Sequence, residues 1–402
     1  MPISIISTNP AHNYDVLGEV PMSSIADVQA ALRAARAAFP VWKALPLTDR
    51  LSYVVQLRDQ FLLRKQEFAE LMTREMGMPI TQSLYTVDRA VGYITWSLDH
   101  AAECLAPEVT FENDTEINEI VFEPYGVAAC ISPWNFPASN FVWACIQALI
   151  AGNTVIFKNS EETQLCAVLI ADMIEKSAFP EGVFQVIYGD GAVAQELIAG
   201  DINLISFTGS SRVGELLYKQ AAEKFIPAVL ELGGSDPAIV FADADLKKAI
   251  PAIYSGRFTN CGQVCVSLKR LIVHESRVAE VISHLQELLS RKIVGDPMNA
   301  ATDIGPLVSA RQRDLLMDQV QDAVDKGATI LCGGHQPDDL NGAYYSPTLI
   351  SGVTREMRIW HEEVFGPVLP IVTFTTYEDA IAKANDTIYG LGASIYTEDK
   401  DL

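Results

Sequence analysis

The amino-acid sequence predicts an α/β protein: a doubly wound parallel sheet followed by a second α/β domain. Three observations predict it. From Gly126 to about Val240, short β-prone runs alternate with helical patterns: GVAACIS, a buried helical run, NTVIFK, a helix over 163–176, GVFQVIY, a helix from Ala192, NLISF, a helix from Ser211, and AVLEL. Such alternation places helices on both faces of a parallel sheet. After Asp243 a second pattern begins, with a helix over 246–258, the strand KRLIVHE, a helix over 278–289 and the strand LPIVTF. The first hundred residues read as mostly helix. Val28, Leu32, Ala35 and Phe39, then Leu51, Val54, Val55, Phe61, Leu62 and Phe68, recur at helical spacing until Gly77 and Pro79 stop the pattern.

Between the helical start and the alternating region, EVTFENDTEINEIVFEP (108–124) carries short β-prone pieces around Asn113-Asp114 and reads as a hairpin or an arm. The Gly233-Gly234 pair marks the expected domain boundary. With 402 residues, 49% of them hydrophobic, the chain can bury two or more substantial domains. A formal charge of −22 argues against nucleic acid or an anionic membrane as partner, because phosphate contacts need clustered Lys and Arg. The longest apolar run, FVWACIQALIAG from Phe141, is too short to span a bilayer and reads as a buried helix. Seven cysteines, several in apolar runs, and an N-terminus without a secretory pattern imply a reduced, cytoplasmic setting.

Two of those cysteines stand in FTNCGQVCVS (258–267). A reactive thiol has to become a thiolate within reach of substrate, conditions met where a loop presents it near dipolar amides. Cys265 fits better than Cys261: it follows Gly262, which allows close approach, and Gln263, polar where a core would hold an apolar residue. The competing reading makes both thiols packing residues four apart on one helix, and composition alone favours it. No metal site is expected, since C-x3-C supplies two ligands and no His completes a set.

The company Cys265 keeps changes the balance. PWNFP (133–137), FTGSSRVG (207–214), LELGGSDP (230–237), GQVC (262–265) and EEVFGPV (362–368) follow one another in the order and at roughly the separations found in the aldehyde dehydrogenase superfamily. The resemblance runs along essentially the whole chain, and within the superfamily the wording is most similar to short bacterial succinate-semialdehyde dehydrogenases. It implies a Rossmann-type dinucleotide-binding domain over 1–233, with 108–124 as oligomerisation arm, and a catalytic domain over 234–402. It further implies a homo-oligomer, dimer or tetramer, acting on a small-molecule aldehyde.

By the same resemblance Cys265 is the nucleophile. Asn135, with the Cys265 backbone N–H, corresponds to the oxyanion donor, and Glu231 to the general base that activates water. The cofactor would be held by Trp134, Lys158, Glu161, Gly209, Ser210, Gly214, Glu363 and Phe365. Glu161 matches the position that accepts from the adenosine ribose hydroxyls; a carboxylate there repels a 2′-phosphate, so NAD is favoured, while Lys158 leaves NADP open. As a strand-end carboxylate after AVL, Glu231 is expected to feel burial.

Two features depart from the pattern. Relatives that grip a semialdehyde's distal carboxylate often carry Arg where this chain has Trp143 and Thr259. Unless Arg257 or Lys269 substitutes, an uncharged or aromatic aldehyde competes with succinate semialdehyde as substrate. The sequence also stops at TEDKDL, before a Gly-rich substrate-lining segment and an interface strand. A missing C-terminal segment keeps a rival in play, a non-catalytic scaffold of the same fold.

Overall fold

The computed structural model describes residues 3–399 and 401, which divide into two compact units. The first comprises Met1–Ser7, Val16–Glu75 and Ser83–Leu232; the second comprises Thr8–Asp15, Met76–Gln82 and Gly233–Leu402. An unbroken first domain over 1–233 is therefore too simple. Two short pieces of the N-terminal region pack with the second unit because their backbone groups find partners there: Ala343 N–H donates to Pro10 O (2.8 Å), and Ile80 N–H to Pro297 O (2.8 Å).

The first unit is organised by a five-stranded, all-parallel sheet in the order Phe184–Ile187, Thr154–Lys158, Val127–Ile131, Leu204–Thr208, Ala228–Glu231. The central strand VAACI and its neighbour TVIFK are buried at every residue, which is why neither shows hydrophobic alternation: both faces are covered. On one face, Val28, Leu32 and Ala35 of the helix Ile25–Ala44 meet Val127, Ile156 and Ile205. That helix starts with a reciprocal cap between Ser24 and Asp27. The chain leaves the centre of the sheet in one direction and returns past it, so the topology reverses between Val127–Ile131 and Leu204–Thr208. In open α/β sheets, ligands bind at the carboxyl ends of the strands flanking such a reversal.

The apolar run from Phe141 lies, as the sequence predicts, in a largely buried helix. Its middle is a π-helical turn, Val142–Ile146, between α-helical Pro137–Phe141 and Gln147–Ile150. Residues 108–124 form a two-stranded antiparallel hairpin, Glu108–Glu112 with Ile117–Ile120, turned by Asn113, whose Oδ1 accepts from the Thr115 and Glu116 N–H groups. The hairpin is exposed throughout, including Val109, Phe111, Ile117 and Ile120.

In the second unit, six strands order as Thr329–Cys332, Thr348–Ser351, Val368–Phe374, Leu268–His274, Asp236–Val240, Ser394–Tyr396. All pairs are parallel except the first. The helices Leu246–Phe258 and Val278–Ser290 bring Ile250, Ile253, Val281 and Leu285 against Leu271, Val273 and Ile371.

One buried acid ties the helical N-terminal region of the first unit to its sheet layer. Glu75, 1% exposed, accepts from the Leu165 and Cys166 N–H groups (2.8 Å each) at the start of the helix Gln164–Lys176 and from Ser7 Oγ (2.6 Å). A carboxylate at a helix N-terminus satisfies donors the helix itself cannot and opposes the positive end of its dipole. Glu75→Ala leaves three donors, two of them buried, without this acceptor, so we expect a loss of about 2–3 kcal/mol in urea unfolding; a loss below about 0.5 kcal/mol would show that the donors find other partners.

Candidate active site

The helix Leu246–Phe258 does not run on through Cys261 to Cys265. It gives way to three successive left-handed residues, Asn260 (φ 51°), Cys261 (φ 55°) and Gly262 (φ 74°). Left-handed backbone at non-glycine residues costs roughly 1 kcal/mol or more each and persists only where the surroundings impose it. Here they do. Asn260 N–H donates to Gln82 Oε1 (2.8 Å), Gln263 donates to Asn260 O from both its backbone N–H (3.0 Å) and Nε2 (3.1 Å), and Val308 N–H donates to Gln263 Oε1 (2.9 Å). Gln263 is fully buried because it braces this turn. Gly262 is required twice over: its φ is positive, and a Cβ there would lie 2.3 Å from Gly366 O.

The turn separates the two thiols in kind, so the reading that makes them equivalent packing residues on one helix fails. Cys261 is 1% exposed among Phe258 and Leu268, and burial pushes its thiol up to about 12. Cys265 is partly exposed. Burial raises its pKa too, while the Val266 N–H and the Lys269 ammonium pull it back and the Glu363 carboxylate pushes it further up. Cys265 is thus stored as a thiol near neutrality, and the thiolate that chemistry needs has to form during reaction.

Lys269 is the centre of the cluster around Cys265. At 1% exposure, its Nζ donates to Val264 O (3.1 Å) and Cys265 O (2.5 Å), pairs with Glu363 Oε1 (3.1 Å) and stands 5.8 Å from the Phe365 ring centroid. Glu363 Oε1 also accepts from the Gly234 N–H (3.2 Å). Arg257, fully buried, donates to Ser267 Oγ (3.0 Å), Val364 O (2.9 Å) and Gly366 O. Gln319 adds bonds to Glu362 Oε2 (3.0 Å) and Glu363 O (3.3 Å). EEVFGP is therefore a held loop. Neither Arg257 nor Lys269 is available to grip a substrate carboxylate, since each is spent on this scaffold.

In the first unit, Trp134 and Asn135 follow the central strand and precede the helix that begins at Pro137. Asn135 is 5% exposed, and its Oδ1 accepts from Asn140 Nδ2 (3.0 Å). That bond engages the carbonyl end of the amide, so the end turned away from Asn140 is the donating NH2. Glu231 closes the strand Ala228–Glu231; it is exposed, so the burial expected to act on its carboxylate is absent. Its backbone O accepts from Gly209 N–H (2.9 Å), which brings the strand end carrying Glu231 beside the FTGSS turn.

Whether these residues fit a dinucleotide can be tested on the same strand ends. Ser210 caps the helix Ser211–Lys224 through Val213 N–H (3.4 Å), placing a helix N-terminus at the carboxyl end of Leu204–Thr208, beside the topological reversal. A Cβ on Gly214 would meet Leu232 Cδ2 at 2.3 Å, the close helix-to-strand packing such turns need. Lys158, 4% exposed at the end of Thr154–Lys158, sits 3.7 Å from Glu161 Oε2; burial lowers its pKa, against the opposing pull of Glu161 and Asp190. These features fit a pyrophosphate at the helix N-terminus and a ribose at the neighbouring strand end. Among the described residues no group of three His, Cys, Asp or Glu could hold a metal.

Comparison with known proteins decides the family. The aldehyde dehydrogenase family model matches residues 3–402. The chain belongs to the aldehyde dehydrogenase family. It is 34% identical to the Escherichia coli succinate-semialdehyde dehydrogenase [NADP(+)] GabD over 98% of this chain and 81% of that protein, and 35% identical to aminoaldehyde dehydrogenase 2 of Pisum sativum over 97% and 80%. The crystal structure of an aldehyde dehydrogenase from Bartonella henselae superposes with a TM-score of 0.96 at 33% identity, covering 100% of this chain and 85% of that one. PnpE, solved with nicotinamide adenine dinucleotide, gives 0.95 at 33% identity, covering 99% and 82%. Like the family, this aldehyde dehydrogenase uses NAD or NADP.

Sequence reasoning missed the braces. Gln82 lies 178 residues from the Asn260 it supports, so no local signal marks it. The sequence offers Lys269 only as a cation that could stand in for the absent arginines; the signal for its place here is its position four residues after Cys265, in the strand Leu268–His274. Its charge predicts a measurable effect. Alkylation of Cys265 by iodoacetamide, followed by peptide mass spectrometry, should show a pH midpoint above the ~8.5 of a free cysteine. Lys269→Met removes a charge that favours the thiolate and should move the midpoint up; Glu363→Gln removes one that disfavours it and should move it down. Shifts of the same sign in both variants would contradict this electrostatic picture.

Proposed function

We propose that this aldehyde dehydrogenase converts an aldehyde to the carboxylic acid through a covalent intermediate on Cys265. The observation that supports this best is the clamp at Lys269, which ties the nucleophile's own carbonyl and the Glu363 carboxylate to one buried ammonium. Cys265 Sγ adds to the aldehyde carbon, its proton passing to base, and the carbonyl oxygen becomes an oxyanion held by the Asn135 amide and the Cys265 N–H. Fixed neutral donors suit a charge that exists only during reaction, each worth roughly 3 kcal/mol in comparable sites. NAD, when bound, accepts the hydride that leaves the thiohemiacetal carbon, and a thioester remains on Sγ. Glu231, exposed and so able to exchange protons with solvent, takes a proton from the water that hydrolyses the thioester. A water-activating base favours hydrolysis over acyl transfer to another thiol.

For cofactor binding, Trp134, Lys158 and Glu161, with Gly209, Ser210 and Gly214, serve the adenosine and pyrophosphate end; Glu363 and Phe365 serve the nicotinamide end. Glu161 favours NAD over NADP. The substrate remains the finer question, because relatives named for succinate semialdehyde and for aminoaldehydes stand at 34% and 35% identity. Succinate semialdehyde is the first reading and an uncharged or aromatic aldehyde the second, the latter favoured by Trp143 and by the engagement of Arg257 and Lys269 elsewhere. The exposed apolar hairpin supports assembly with further copies of the chain. Seven free thiols support a reducing, cytoplasmic setting, and no helix among the described residues is long and apolar enough to cross a membrane.

Stopped-flow NADH absorbance tests the roles. Cys265→Ala should abolish the hydride burst while NAD still binds. Glu231→Gln should keep the burst and slow steady turnover. Asn135→Ala should cut kcat about 10²–10³-fold. Normal turnover in Glu231→Gln would overturn the assignment of the base.

A further inference from the structure

The helix that starts just after Asn135 carries a second feature two turns further on. Trp143 lies in its π-helical turn and lines a cavity of about 740 Å³ together with Tyr85, Asp88, Arg89, Tyr93 and Trp96 of the helix Ile80–Cys104. Helical side chains lean toward the N-terminus, so Trp143 leans toward the Asn135 end. Tyr85, Trp96 and Trp143 are 61%, 54% and 42% exposed, a concentration of large aromatic surface that marks a binding pocket.

Arg89 gives that pocket its charge. The guanidinium donates to Tyr93 OH (2.7 Å) and Tyr85 OH (3.3 Å) and stands 5.3 and 5.9 Å from the two ring centroids. Both acceptors are neutral, so neither cancels the cation. The acid in the lining, Asp88, is engaged by Lys65 at 2.7 Å. Tyr93 in turn packs edge-on against Trp143 (5.4 Å, 74°), so the guanidinium, Tyr93 and Trp143 form one continuous cluster. A guanidinium uses five N–H donors, and its fork matches a carboxylate. The same guanidinium already lies over the tyrosine faces that a substrate ammonium would seek, and repels it.

We infer that Arg89, in the aromatic pocket that also presents Trp143, is a specificity-determining anion subsite that selects aldehydes with a distal carboxylate over ammonium-bearing ones. The inference rests on the aldehyde-oxidising reading above and deepens it. The positive charge that positions 143 and 259 do not supply comes from the neighbouring helix, while Trp143 packs against the carbon chain.

Matched aldehydes of one chain length, ending in a carboxylate, a methyl group or a trimethylammonium, separate the possibilities. In Arg89→Gln the kcat/KM ratio of carboxylated to neutral aldehyde should fall about tenfold, carried by KM, as expected for losing one charge-assisted contact at a partly exposed site. Arg89→Lys should restore most of the ratio, and Arg89→Glu should invert preference toward the ammonium. A ratio that stays constant in Arg89→Gln overturns the inference while leaving the dehydrogenase reading intact. If the wild type oxidises none of the three, that reading fails instead, and glutarate binding by calorimetry still decides the subsite: no binding by the wild type, or equal Kd in wild type and Arg89→Gln, overturns it.

Discussion

Everything around Cys265 depends on the backbone reversal at Asn260-Cys261-Gly262. Three left-handed residues in succession are costly, and the cost is offset by bonds from the adjacent Gln263 and from the distant Gln82, with the equally distant Val308 backbone holding Gln263 in place. The reversal takes the chain off its helical course, so that Cys261 faces the core while Cys265 stays partly exposed. Because Gly262 sits against the Gly366 carbonyl, the same turn also fixes the loop that carries Glu363. Position and chemistry are coupled through packing that has no slack.

The electrostatics follow from that geometry. A lone ammonium at 1% exposure would shed its proton or pull in a partner; Lys269 instead has a carboxylate and two backbone carbonyls around it. Burial lowers its pKa all the same, against the opposing pull of Glu363. At Cys265, Glu363 works against Lys269 in the same direction as desolvation, so the net shift of the Cys265 thiol is upward. A thiol whose pKa is raised is less open to oxidation and alkylation than a thiolate.

How much of this the sequence disclosed depends on the range of the interaction concerned. The parallel sheet was legible because fully buried strands such as VAACI and TVIFK read as unbroken apolar runs. The helix over 246–258 was legible from its periodicity, and Asp245 caps it. The candidate site residues stand out through the order and spacing of their motifs, since residue type alone favours simple packing for the two thiols. What was not legible is what holds them. Gln82 and Val308 act on Asn260 and Gln263 across long stretches of sequence, and Lys269 and Arg257 looked like substrate cations because sequence cannot show that carbonyls and a carboxylate already surround them. The π-helical turn at Val142–Ile146 was hidden too, since one extra residue per turn leaves an apolar run looking like any buried helix.

That turn matters for how a single fold serves many aldehydes. Asn135 and Lys269 are held by buried bonds, whereas Trp143 and Arg89 stand on exposed helical surface. A substitution at Trp143 or Arg89 therefore leaves in place the bond by which Asn140, in the same helix, orients Asn135. The helix sets a spacing, with Asn135 just before its N-terminal end and the pocket at Trp143 about two turns along. Moving a cation from one helix to its neighbour preserves the charge a carboxylate requires and changes the angle from which it is met, so a position that lacks arginine does not imply a pocket that lacks charge.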